Sequence, residues 1–204
     1  AKEALQIRIS DRELSEIVRL GSGSATRSLV GGFAIWYHNK GGRSFAERLS
    51  AYGPLRMVIV PQPSDVFTEE AHEEVIHSPF FRARLKYLKN IIPRMKRAVL
   101  RKDVKTIGEL AETDTLNLHA VTMTSIHRLI LFSEGSIRVM RIIRELREVD
   151  DLLAWFSLDT GPSVFVNTTA EYAPTISRRL VSEGFDTVES GVGGEARLVD
   201  VHLF

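Results

Sequence analysis

The amino-acid sequence predicts an α+β fold, an antiparallel ferredoxin-like sheet layered with helices. Three observations lead to it. The hydrophobic pattern is strand-like at residues 55–61, takes a helical period from about residue 68 to 118, and returns to strand-like at residue 152. The elements then read strand, helices, strand, strand, helix, strand, the order of a split βαβ layer. The 204 residues, 44% hydrophobic and 26% charged, have a globular composition and a length that supports a core without staples.

Each element has a local reason. Ser10 precedes Asp11, Arg12 and Glu13 as a helix cap, and Leu14, Ile17, Val18 and Leu20 follow at amphipathic spacing until Gly21 ends the helix. Gly21-Ser22-Gly23-Ser24-Ala25-Thr26-Arg27-Ser28 is a glycine and serine loop, and the chain passes through a helix end and Gly31-Gly32 into a strand at 33–37. Residues 38–53 read as polar and turn-rich. The apolar stretch 55–61 reads as a buried strand. Phe80, Leu85, Leu88, Ile92, Met95 and Val99 mark helices, one carrying Pro93 as a candidate kink, and a further helix is expected at 134–147. Strands at 152–158 and 163–167 flank a turn at 159–162. A helix at 174–183 and short strands at 187–189 and 196–202 complete the chain.

Composition narrows the function. Lys and Arg number 27 against 26 Asp and Glu, so no overall field steers the molecule toward nucleic acid or an anionic membrane. Apolar runs such as Met57-Val58-Ile59-Val60 fall far short of the ~20 residues that span a bilayer. No signal peptide opens the sequence, and Ala1 in place of Met fits either Met removal or a start inside a longer protein. With no cysteine there is no disulfide, no Cys-ligated zinc and no thiolate nucleophile, and the expected compartment is the cytoplasm.

Six features bear on candidate chemistry. The Gly/Ser loop has the small side chains that let backbone amides approach a phosphate, but lacks the third glycine of a dinucleotide fingerprint and the Lys-Ser/Thr ending of a P-loop. It reads equally as a helix-to-helix turn capped by Ser24 or Thr26. Arg27, three residues beyond Ser24, adds a guanidinium able to grip a carboxylate or phosphate with two parallel hydrogen bonds. Asp159, before Thr160-Gly161-Pro162, lies at a hairpin-like tip, where an aspartate is commonly an Asx-turn residue. His72 and His77 are five positions apart where a zincin helix needs four, so they diverge on a solvated helix and no metal site is expected. His119 reads as a hydrogen-bonded core residue. Residues 82–105 hold ten basic side chains and one acidic, Asp103, which reads as a solvated helical face more readily than as an RNA-binding surface.

Combined, these features resemble one family. Leu14-Ser15-Glu16-Ile17-Val18-Arg19-Leu20-Gly21-Ser22-Gly23-Ser24-Ala25-Thr26-Arg27-Ser28-Leu29-Val30-Gly31-Gly32-Phe33 is similar to the L-S-x-x-A-R-x-G-S-G-S-A-C-R-S-L-x-G-G-F segment of the mevalonate diphosphate decarboxylases of the GHMP kinase superfamily. Asp114-Thr115-Leu116-Asn117-Leu118-His119-Ala120 resembles the family's D-S-N-x-F-H-A, and Phe156-Ser157-Leu158-Asp159-Thr160-Gly161-Pro162 its T-x-D-A-G-P. The departures are Thr26 for Cys, Thr160 for Ala, and Leu116 where the family has Asn, with Asn117 one position later.

The resemblance implies a GHMP-type C-terminal domain over residues 41–204, preceded at 1–40 by the end of the N-terminal domain with the Gly/Ser loop. It implies a carboxy-lyase of the mevalonate pathway of isoprenoid biosynthesis, acting on a phosphorylated mevalonate. Asp159 takes the place of the aspartate facing the C3 hydroxyl, Arg27 that of the arginine on the substrate carboxylate, and Ser22 and Ser24 those of the serines around its phosphate. ATP and Mg2+ are expected for the complete enzyme. None is expected on this chain alone, because the family's nucleotide loop has no counterpart in it. The expected partners are the substrate, an upstream GHMP N-terminal segment and a second copy in a homodimer, without nucleic acid or membrane. The alternatives are an ATP-independent mevalonate 3,5-bisphosphate decarboxylase, a mevalonate 3-kinase, and a noncatalytic module binding RNA or a protein partner.

Overall fold

The computed structural model describes residues 6–38, 43–51, 53–63 and 75–197. It divides into two compact units, Ala1–Gly53 with Val192–Phe204, and Pro54–Gly191.

The first unit holds helices α1 (Asp11–Val18) and α2 (Ala25–Val30) and an antiparallel pair of strands, β1 (Phe33–His38) and β2 (Ser44–Ser50). Ser10 caps α1 as expected. Its hydroxyl accepts from the Glu13 N–H at 3.2 Å while the Glu13 carboxylate accepts from the Ser10 N–H at 2.8 Å, a reciprocal capping box. Ser15 ties the helix to the strands, its buried hydroxyl accepting from the Ala46 N–H at 3.1 Å.

Strand β2 overturns the expectation of a turn-rich stretch at 38–53. Only its first half is apolar and buried, at Phe45 and Ala46. Glu47 and Arg48 face solvent, so the strand signal is too short to stand out. The chain enters β1 through Gly31 and Gly32, at φ +61° and +64°. A β-carbon on Gly32 would lie 2.2 Å from the Ser50 carbonyl oxygen, so only glycine fits. The expected strand at 196–202 is not seen at residues 196–197, and the remainder lies outside the described residues. Residues 193 and 196 instead make single backbone bonds to Gly32 and Leu29.

The second unit is a four-stranded antiparallel sheet with helices on both faces. Its strands are β3 (Leu55–Val60), β4 (Trp155–Ser157), β5 (Val164–Thr169) and β6 (Val188–Gly191), ordered β4-β5-β3-β6. Taken in chain order that is 2-3-1-4, the ferredoxin-like arrangement read from the sequence. Register places Val58 opposite Val166, Val60 opposite Val164 and Phe156 opposite Val166, so these side chains share one face. Helices α5 (Glu134–Glu148) and α6 (Ala173–Ser182) cover that face with Val139, Ile143, Ile176 and Leu180, all fully buried.

The other face carries helices α3 (Phe81–Arg101) and α4 (Val104–Met123), α4 packing on β4 and β5. Gly108 lets α4 approach, since a β-carbon there would lie 2.3 Å from the Trp155 ring. Helix α3 runs unbroken through the candidate kink at Pro93. Of the histidine pair, His77 closes a short 3-10 turn, and His72 lies outside the described residues. No described helix is long and apolar enough to cross a membrane.

Candidate active site

The predicted site residues fall in both units, Ser22, Ser24 and Arg27 in the first and Asp159 in the second. Each group has its own local architecture.

The Gly/Ser loop joins α1 to α2. The Gly21 and Ser22 N–H groups donate back to the Val18 carbonyl at 3.1 and 3.2 Å, and the Ser24 carbonyl accepts from the Arg27 and Ser28 N–H groups as α2 begins. Ser24 therefore occupies the cap position, but its hydroxyl holds no helix amide. It lies 3.0 Å from the Ser22 hydroxyl, and both are exposed. Thr26, the other expected cap, is fully buried, and its hydroxyl has no hydrogen-bond partner among the described residues. The loop thus leaves its serine hydroxyls facing solvent, available to accept or donate to a ligand.

Arg27 is exposed too, with its guanidinium carbon 5.7 Å from the centre of the Trp36 ring, within cation–π range. The same ring would lie 3.1 Å from a β-carbon on Gly23, and its N–H donates to the Ser44 hydroxyl. Trp36 thereby touches the loop and the arginine together. Sequence reading did not single it out, because an aromatic in mid-strand reads as core.

Asp159 follows β4 in the turn leading to β5, an exposed residue between buried Leu158 and buried Pro162. The turn is held on three sides. From α4, the Thr115 hydroxyl accepts from the Leu158 N–H at 3.0 Å and donates to the Leu158 carbonyl at 3.3 Å. From α5, the Ser136 hydroxyl donates to the Pro162 carbonyl at 2.6 Å. From the end of β3, the Gln62 N–H donates to the Ser163 hydroxyl at 3.1 Å. A buried amide left unpaired costs roughly 1–3 kcal/mol, so these contacts favour one backbone path strongly. The result is a carboxylate in solvent on a fixed stem.

His119, one turn along α4 from Thr115, is fully buried and stacked on Phe132 with ring centres 4.1 Å apart. It is not the hydrogen-bonded core residue expected from the sequence. Neither ring nitrogen has a partner among the described residues, and the Asp159 carbonyl is near enough to favour the protonated ring without the geometry of a hydrogen bond. Burial dominates and pushes the imidazole down to about 4, so the ring is neutral at pH 7.

The displaced asparagine has a structural use. Arg84 of α3, little exposed, donates to the Asp114 carboxylate at 3.0 Å and to the Asn117 side-chain carbonyl at 2.6 Å, while Leu116 points outward. At least this member of the basic stretch is therefore a fixed strut between α3 and α4 and not part of a solvated face.

Comparison with known proteins agrees with the family resemblance. The Diphosphomevalonate decarboxylase-like N-terminal domain family matches residues 1–46, and the Mevalonate 5-diphosphate decarboxylase C-terminal domain family matches residues 67–192. The phosphomevalonate decarboxylase of Haloferax volcanii is 34% identical over 201 residues, 97% of this chain and 62% of that protein. The crystal structure of mevalonate diphosphate decarboxylase from Staphylococcus aureus is similar at a TM-score of 0.86 and 29% identity, over 94% of this chain and 60% of that one. A structure describing mevalonate diphosphate mediated ATP binding in the Enterococcus faecalis enzyme is similar at 0.85 and 27%, over 95% of this chain and 61% of that one. The chain therefore spans about three fifths of the length of these relatives. Its α+β architecture is the GHMP type found in these structures.

Proposed function

The chain belongs to the mevalonate 5-diphosphate decarboxylase family, and on that premise we propose that it forms the substrate-handling part of a decarboxylase acting on a 5-phosphorylated mevalonate. One observation carries the proposal. The segment most like the family's aspartate motif folds into a turn clamped by Thr115, Ser136 and Gln62 that leaves the Asp159 carboxylate exposed. An aspartate serving only the turn would spend its oxygens on its own backbone.

Asp159 and Arg27 have complementary tasks in this reading. The carboxylate hydrogen-bonds the C3 hydroxyl and takes its proton, freeing that oxygen to accept the phosphoryl group that ATP would supply in the complete enzyme and so to depart as phosphate. Arg27 grips the C1 carboxylate with two hydrogen bonds and aligns it with the departing oxygen. When the C1–C2 bond breaks, its electron pair forms the C2=C3 double bond and the C3–O pair leaves with the phosphate, releasing CO2. Asp159 then faces the positive charge developing at C3. Ser22 and Ser24 supply hydroxyl donors to the 5-phosphate.

ATP and Mg2+ are the cofactors expected of the complete enzyme. Among the described residues no three His, Asp or Glu side chains gather as a metal site. The relative at 34% identity is a phosphomevalonate decarboxylase, which favours the monophosphate as substrate. The test is CO2 release by the complete protein from mevalonate 5-phosphate, 5-diphosphate and 3,5-bisphosphate, each with and without ATP. The proposal expects ATP-dependent release, fastest from the 5-phosphate. ATP-independent release from the bisphosphate alone identifies the alternative decarboxylase, and ATP consumption without CO2 identifies a 3-kinase.

A further inference from the structure

We propose that Thr115 is a positioning residue for Asp159, a role that rests on the decarboxylase reading above. Thr115 is 3% exposed, and its hydroxyl is directed across to β4 and not back to its own helix. The β4–β5 ladder ends at the pair Ser157 and Phe165, so it does not serve Leu158, the residue directly before Asp159. One hydroxyl takes over both backbone groups of Leu158, accepting from its N–H and donating to its carbonyl.

The second of these bonds sets the carboxylate. The Leu158 carbonyl and the Asp159 N–H belong to one rigid peptide plane. Fixing that carbonyl fixes the plane from which the Asp159 side chain leaves. The far side of the turn has its own anchors in Ser136 and Gln62, and Thr115 holds the near side at Leu158. The requirement is for a hydroxyl at this depth, met by Thr or Ser and by no apolar residue.

The test compares Thr115→Val, near-isosteric but without the hydroxyl, with Thr115→Ser in the complete protein. Two readouts are taken: steady-state kinetics on the phosphorylated mevalonate, and hydrogen exchange of peptides spanning residues 155–165. Thr115→Val should lower kcat by roughly 10- to 100-fold, the scale of a misplaced reacting group, with KM within about 3-fold. Exchange in 155–165 should speed up. Thr115→Ser should keep kcat within about 3-fold of wild type and leave exchange unchanged. A Thr115→Val enzyme with wild-type kcat overturns the role, and so does a Ser variant that falls as far as Val, which would indicate packing alone. Should the wild-type protein release no CO2 from any phosphorylated mevalonate, the decarboxylase reading fails separately. Exchange then decides, and unchanged protection of 155–165 in Thr115→Val overturns the positioning.

Discussion

Acidification should weaken the second unit through a single buried ring. His119 titrates near 6.5 when unfolded and near 4 in place, because burial penalises its charged form more than the neighbouring Asp159 groups favour it. Between those values the unfolded chain binds a proton that the folded chain refuses, so stability rises with pH across the window. The contribution is fully present above pH 6.5 and is lost as pH falls toward 4. At about 1.4 kcal/mol per pH unit, the whole interval amounts to about 3 kcal/mol, of which about 2 kcal/mol falls between pH 7 and pH 5. The assay is urea unfolding followed by Trp155, which is buried in the same unit, in a Trp36→Phe background. A His119→Leu variant removes the titration and retains the carboxylates that titrate in both proteins. The reference protein should lose about 2 kcal/mol more than the variant on going from pH 7 to pH 5. Equal losses within about 0.5 kcal/mol would refute the reasoning, since distant groups contribute equally to both.

Two further outcomes follow from the site and the core. Arg27→Lys keeps the charge but gives up the paired hydrogen bonds, so kcat/KM for the phosphorylated mevalonate should fall roughly 100-fold with little change in melting temperature; wild-type kcat/KM in the purified variant would remove Arg27 from the site. Gly108→Ala places a methyl 2.3 Å from the Trp155 ring and should cost at least about 1–3 kcal/mol in the same unfolding assay, with a stability equal to wild type counting against the close approach of α4 to β4.

The legible parts of this protein were those written in consecutive residues. The hydrophobic period gives the order of elements that points to the ferredoxin-like sheet, and Ser10-Asp11-Arg12-Glu13 forms the capping box that its spacing announces. Asp159 stands out because an apolar strand ends just before it and Gly161-Pro162 follows. What sequence could not supply were partnerships across long separations. Thr115 and Leu158 are 43 positions apart, and nothing local distinguishes a threonine that clamps a strand end from one that merely sits in a helix. The burial of His119 could be read from its apolar neighbours, but not its stacking on Phe132 or the absence of a hydrogen-bond partner among the described residues. Strand β2 was missed because Glu47 and Arg48 on its outward half dilute a signal carried by Phe45 and Ala46. Trp36 became meaningful only when it was found against Gly23 and Arg27.

The central claim is that Asp159 is the catalytic carboxylate of a mevalonate-phosphate decarboxylase, and Asp159→Asn in the complete enzyme tests it most directly. Asparagine keeps the shape of the side chain and removes its charge, while the clamp on Leu158 leaves the backbone in place. CO2 release should fall at least ~100-fold in kcat, the scale of losing a positioned acid–base group, with substrate affinity and melting temperature near wild type. A variant that melts about 1 kcal/mol easier but turns over within a few fold of wild type would show Asp159 to be a turn residue and contradict the account.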